Sequence, residues 1–372
     1  MFGARLKKVN ICIFKPHYKT YFYMVYKYKV VTMQQLRSLI SITILTLLFA
    51  GSIATAGYSQ NTQAPPPPGK LVDAGGHLLH VNVTGKGTPA VILESGSGDF
   101  SFIWSLVQPA IAKTATCVSY DRAGFAWSEQ GPLPRSGRQI AYELHTALHN
   151  TGIKGPYILV GQSFGGFLVR SFARFYKDEV AGVVLVDALN EDSKIVLDNK
   201  AVRIRDFAKG QYALEPKNIS SKIIDTNSAA LKPVALDTSI EPPMDKLPKK
   251  IQQMQIWAQS QPVFRKAAGN EMNWSPEDVA EMYTNKGKPA FILGNIPLIV
   301  LARGDGGYAG MPDAVELENE RLNLQAELAK LSTNSKLIID KNSGHNIHLE
   351  DPAVVIDAIK QVITACKTSG KL

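Results

Sequence analysis

The sequence predicts an α/β domain: a mainly parallel sheet with helices on both faces and an inserted helical cap. Three observations carry that prediction. Short apolar runs alternate with stretches of helical period, as where 117–120 precedes 138–151 and 157–160 precedes 163–176. The runs at 90–94 and 117–120 have the composition of fully buried strands. The rhythm breaks at about residue 188, gives way to a stretch richer in Lys, Asp, Asn and Ser, and resumes after 296.

Taken in order, residues 70–94 read as strand, Gly-Gly turn, strand, glycine-rich turn and buried strand. The strand at 117–120 runs into the turn DRAG. A helix over 138–151 places Ile140, Leu144, Ala147 and Leu148 on one face and is closed by Gly152. A strand at 157–160, a helix from 163 to 176 and a strand at 182–186 follow. Within the insertion, about 188–296, helical patterns are weaker and centre on 249–260 and 276–283. Beyond it come a strand at 297–302, a helix at 313–331 and a strand at 337–339. Asp351 caps a last helix, with Pro352 in its first turn.

A chain of 372 residues with 45% hydrophobic content can bury a large core, and no internal repeat is present. The formal charge of +9 would suggest a nucleic-acid partner if it were spread over the fold. It is not spread: residues 1–56 hold eight basic residues and no acid, which leaves the remainder close to neutral. No nucleic-acid partner is expected. The apolar run at 39–51, preceded by Arg37 and followed by Ala54-Thr55-Ala56, reads as a signal peptide cut after Ala56, for a secreted or periplasmic protein. The alternative is a retained N-terminal membrane anchor, the one route to a membrane expected for this chain. Residues 1–32 form an unusual basic preface, and translation from Met33 would omit it. Residues 57–70 form a proline-rich linker, and the folded domain is expected over 71–367.

Gly161-Gln162-Ser163-Phe164-Gly165 has the pattern G-x-S-x-G and stands between a buried strand and a helix. A turn this tight lifts a serine hydroxyl above the sheet, and side chains in place of the flanking glycines would collide with strand or helix. The chain here resembles the α/β-hydrolase superfamily, in its cap-bearing branch of serine esterases and related hydrolases. The likeness runs over about 71–367. It rests on ESGSGD at 94–99, the region of Trp104, YDRAGFAWS at 120–128, GQSFGG at 161–166, LVDA at 185–188 and SGHNIHLEDP at 343–352. Two departures stand out: Gln162 replaces a frequent histidine, and Glu94-Ser95 replaces a frequent His-Gly.

The resemblance implies a serine nucleophile, Ser163, a histidine base, His345, and an acid that fixes the tautomer of the base. Two acids compete. Asp187 ends the strand after the nucleophile helix, whereas Asp305 follows the next strand, where the family more often places the third member. Asp187 is favoured, because Arg303 stands where a glycine is usual before Asp305 and the spacing to Asp305 is one residue short. Developing negative charge needs preorganised N–H donors. Phe164 is expected to supply one, and the turn Gly96-Ser97 the second, with Ser97 preferred.

No cofactor is expected, since a glycine-rich phosphate loop is absent. No metal is expected either: His145 and His149 lie four apart on a helix, but a third ligand is not evident. Cys117 and Cys366 are expected to be thiols rather than a disulfide. The expected activity is cleavage of a carboxylic ester or related acyl bond in a small molecule. A prolyl-type aminopeptidase would need acids in the cap to hold an amine, and Glu191, Asp192 and Glu271 are available. An acyltransferase and a non-catalytic hydrolase-like binding protein are further alternatives. Oligomeric state is not legible.

Overall fold

The computed structural model describes residues 64–211, 215–217, 238–304 and 306–372. Residues 1–63, which hold the segment read as signal peptide or anchor and the start of the linker, lie outside the described residues, as does Asp305. From Pro65 onward the described residues belong to one unit. Among them, no helix is long and apolar enough to cross a membrane.

Eight strands form one sheet: β1 (Lys70–Asp73), β2 (Leu78–Thr84), β3 (Val91–Glu94), β4 (Cys117–Tyr120), β5 (Tyr157–Gln162), β6 (Val180–Val186), β9 (Leu298–Arg303) and β10 (Ser335–Asp340). Their order is β1-β2-β4-β3-β5-β6-β9-β10. From β4 to β10 every neighbouring pair is parallel, while β1, β2 and β4 pair antiparallel at one edge. Parallel neighbours need crossovers, supplied by α1 (Gln108–Ile111), α2 (Gly137–Asn150), α3 (Phe164–Phe175) and α6 (Ala314–Ala329). The chain closes with α7 (Ile347–Glu350) and α8 (Pro352–Thr368). The Asp351 side chain accepts the Val354 N–H at the start of α8, the cap expected from sequence.

The period of two along each strand divides the core. Ile92, Leu159, Val183, Leu185 and Val300 face one side, where Leu144, Leu148, Val169 and Phe172 of α2 and α3 cover them. Leu93, Ile158, Val160, Val184 and Leu301 face the other, against Trp104, Ile111 and Val355, Ile359 and Val362 of α8. Each such side chain buried contributes about 1.5–3 kcal/mol, so both layers are needed.

The insertion lies between β6 and β9, as the break in rhythm indicated, but it is not wholly helical. It begins with a hairpin, β7 (Lys194–Leu197) and β8 (Lys200–Arg203), turned by Asp198 and Asn199, both at positive φ (47° and 60°). Then come α4 (Lys249–Ser260) and α5 (Pro262–Asn285). Pro276, expected near the start of a helix, sits inside α5. Burial of Phe264, Ala267 and Glu271 upstream holds the helix together through the bond the proline removes. Phe264 and Met254 pack on Phe100, Phe102 and Phe125, while Val279 and Met282 pack on Phe164, Phe167 and Leu168. The cap thus rests on the loop after β3 and on the helix that follows Ser163.

Candidate active site

Ser163, Asp187 and His345 all follow the carboxyl ends of parallel strands, β5, β6 and β10, where open α/β sheets gather their functional groups. Ser163 adopts φ 55° and ψ −122°, a conformation that side chains rarely take. Three backbone bonds hold it there: its N–H donates to Val186 O at 3.0 Å, and its carbonyl accepts from Gly166 N at 3.0 Å and Leu189 N at 2.9 Å. The glycines leave no alternative. A Cβ on Gly161 would come within 2.4 Å of Gly165 O, and one on Gly165 within 2.5 Å of Glu94 O.

His345 connects the serine to the acid. Its Nε2 lies 2.9 Å from Ser163 Oγ and its Nδ1 lies 2.6 Å from Asp187 Oδ2. Among the described residues, Asp187 completes this line. It is buried and itself strained at φ 39°. Burial pushes its carboxyl up, but the bond to His345 and the charges of His345, Arg303 and Arg321 outweigh burial and hold it down at about 2. Arg303 Nη1 donates to Oδ2 at 3.0 Å, and Arg321 Nη1 donates to Oδ1 at 3.2 Å. Arg303, noted as out of place for a glycine, is therefore a partner of Asp187. Arg321, half-way along α6, carried no signal in the sequence.

His348, three residues on, stands outside this line. It is fully buried against Trp104, with ring centroids 4.8 Å apart, and burial followed by the charge of His345 lowers its pKa to about 3. Gln162, the first departure from the family pattern, donates through Nε2 to His345 O at 3.2 Å. It braces the backbone of the histidine loop.

The second departure has a larger consequence. Glu94 ends β3, and its carboxylate meets Tyr120 Oη and Arg122 Nη1, the latter at 2.8 Å. Arg122 also donates to Ser95 O and Gly96 O, each at 2.8 Å, and to Glu271 of α5 through Nε at 2.9 Å. One buried guanidinium thus ties the carbonyls of the loop after β3 to the cap. Asp121, beside Arg122 in the turn DRAG, accepts the Ser101 N–H at 2.6 Å and pairs with His80 at 2.7 Å. Burial raises the Glu94 pKa to about 7 against the lowering pull of Arg122.

With its carbonyls pinned, the loop turns Gly96 toward the nucleophile: a Cβ there would lie 3.4 Å from Ser163 Cβ. Ser97, preferred from sequence, is exposed, and Gly96 is buried. Phe164 opens α3, so its N–H belongs to the first turn, which has no intrahelical acceptor.

The alpha/beta hydrolase fold family model matches residues 89–352, which takes in the parallel strands from β3 to β10, the cap and all three of these residues. The chain belongs to the alpha/beta hydrolase fold family. YqjL of Bacillus subtilis, itself uncharacterized, is 25% identical over 289 residues, 77% of this chain and 89% of that protein. A Hormonema carpetanum protein named "Probable transporter efuK" is 33% identical over 129 residues, 32% of this chain; the match spans only 18% of that much longer protein. Among solved structures, a thermophilic esterase from Thermogutta terrifontis shares the fold with a TM-score of 0.53 and 17% identity, covering 80% of this chain and 99% of the esterase. Membership of the family supports hydrolase activity. It leaves the bond that is cleaved to be argued from the site.

Proposed function

We propose that this hydrolase cleaves a carboxylic ester, or a related acyl bond, of a small molecule through an acyl-enzyme on Ser163. The single observation that carries the proposal is the line Ser163 Oγ, His345 Nε2, His345 Nδ1, Asp187 Oδ2, with links of 2.9 and 2.6 Å. His345 Nε2 takes the hydroxyl proton as Oγ bonds to the substrate carbonyl carbon. The Phe164 N–H and an N–H of the Gly96-Ser97 turn receive the developing oxyanion. When the tetrahedral species collapses, the carbon–oxygen bond to the leaving alcohol breaks, and that alcohol takes the proton from His345. Water then enters by the same steps in reverse roles, and the acid and a free Ser163 result.

The surroundings favour an esterase over the alternatives. The three cap acids named above as candidates to anchor a peptide amine are already paired with arginine: Glu191 with Arg170 at 2.7 Å, Asp192 with Arg205 at 2.8 Å, and Glu271 with Arg122 at 2.9 Å. The His345 side chain is 36% exposed, so water reaches the base, which favours hydrolysis over transfer to a second alcohol. The same line argues against a purely binding role. We further propose that residues 1–56 direct export, with cleavage after Ala56; the N-terminal sequence of the mature protein tests this.

The test of the activity is a series of p-nitrophenyl esters of increasing acyl length, with wild type and Ser163→Ala. Turnover that depends on chain length and vanishes in Ser163→Ala supports the proposal. Equal rates in the two proteins contradict it.

A further inference from the structure

His145 and His149 lie four residues apart on α2 and therefore share one face of the helix. The fold brings Glu179, in the turn that leads into β6, against both. His145 Nε2 lies 2.8 Å from Glu179 Oε1, and His149 Nε2 lies 3.1 Å from Glu179 Oε2. The three ligand atoms all fall within 4.8 Å of one another. The rings are held in place. His145 stacks on Tyr176 with centroids 3.9 Å apart and planes 5° from parallel, and the His149 ring lies 4.3 Å from that of His145. The side chains remain open to solvent, His149 at 53% and Glu179 at 30%.

We propose that His145, His149 and Glu179 form a divalent transition-metal site suited to Zn²⁺. Two imidazole nitrogens and one carboxylate oxygen suit zinc and its neighbours, whereas Mg²⁺ and Ca²⁺ select sets made of oxygen alone. Zinc bonds of about 2.0–2.2 Å ask three tetrahedral ligand atoms to stand a little over 3 Å apart. To admit the ion, the carboxylate must move out slightly from the two rings, now at 2.8 and 3.1 Å, and ligand atoms as far as 4.8 Å apart must draw together. Each ring then bonds the metal as a neutral imidazole through a bare Nε2, with its single N–H on Nδ1. Three protein ligands leave a fourth position for water.

The site has no part in the reaction at Ser163. Glu179 precedes β6 and Asp187 follows it, so the length of the strand, about 3.3 Å per residue, separates them. A bound ion would staple the last turn of α2 to the turn that feeds β6. Its effect is on stability.

The experiment is calorimetric titration of Zn²⁺ into the chelator-treated full chain, without an affinity tag, paired with thermal unfolding with and without the ion. The variants are His149→Ala and Glu179→Gln. His149 is more than half exposed, so its truncation should leave unfolding of the metal-free protein unchanged. The expected result is one saturable equivalent, a zinc-dependent rise in unfolding temperature, and affinity weakened by at least about 10-fold in each variant, since even outer-shell partners are worth about 10–100-fold. Absence of saturable binding, or binding equally tight in both variants, overturns the proposal; the second result would place the ion on other groups, such as His345.

Discussion

Two segments meet at the candidate active site and are held in different ways. The turn around Ser163 is fixed by its own neighbourhood: three backbone bonds and two glycines whose Cβ positions are already filled by main chain. The loop after β3, which faces it, is fixed from afar. Arg122 pins the carbonyls of Ser95 and Gly96 and is itself pinned by Glu94 and by Glu271 of the cap, 149 residues away. The first support is steric and indifferent to pH. The second is ionic and depends on the cap being in place. A hydrolase site therefore has one half that folding of the sheet suffices to build and another half that waits for the insertion.

The largest effect should come from the line that both halves serve. Ser163→Ala or His345→Ala is expected to lower ester turnover by on the order of 10⁴–10⁶ with little change in stability. Asp187→Asn is expected to cost about 10⁴, because the amide no longer fixes the tautomer of His345. A loss below about tenfold would move the acid to Asp305.

Arg122→Ala separates the two halves. It leaves Glu94 and Glu271 buried without their cation, which typically costs about 3–5 kcal/mol, and it frees the loop, which should lower kcat by about 10²–10³ while the serine turn stays intact. Chemical denaturation and kinetics on one preparation check both numbers. If kcat holds while stability falls, the guanidinium supports only the fold. Gly165→Ala works in the opposite direction, pushing a methyl toward the backbone of Glu94 and Ser95. The expected cost is about 1–3 kcal/mol of stability with a fall in kcat that Arg122 cannot rescue.

The smallest effect is a pH dependence. The Glu94 carboxyl, raised by burial to about 7 from its ordinary 4.5, favours the folded state when protonated. That contribution is complete below pH 4.5 and is lost as pH rises through about 7. In Glu94→Gln nothing titrates there. The unfolding temperature of the variant minus that of wild type should therefore increase between pH 4.5 and pH 8. A difference that stays flat would show that Glu94 remains charged throughout.

The same contrast explains what the sequence disclosed. The strands, the main crossover helices and the turn around Ser163 were legible because their causes are local: apolar runs, helical period, glycines beside a serine. His345 was legible through its SGH context and the family likeness, and Asp187 through its place after a strand. The roles of Arg122, Glu271, Arg321 and Gln162 were not, since each acts on a residue far off in the chain, and nothing local distinguishes a buried arginine from a solvated one. The β7–β8 hairpin was missed because its strands are only half-buried and lack a strong alternating pattern. Which N–H of the Gly96-Ser97 turn faces the nucleophile depends on how Arg122 holds the loop, and nothing local in the sequence discloses that. Glu179 joined His145 and His149 only through the fold.

The central claim is that Ser163 is a nucleophile activated by His345. Its most direct measurement is labelling by a fluorophosphonate, located by peptide mass mapping. One adduct, on Ser163, absent in Ser163→Ala and greatly slowed in His345→Ala, is the predicted result. No adduct on protein whose fold is intact, or an adduct on another residue that persists in Ser163→Ala, would contradict the account.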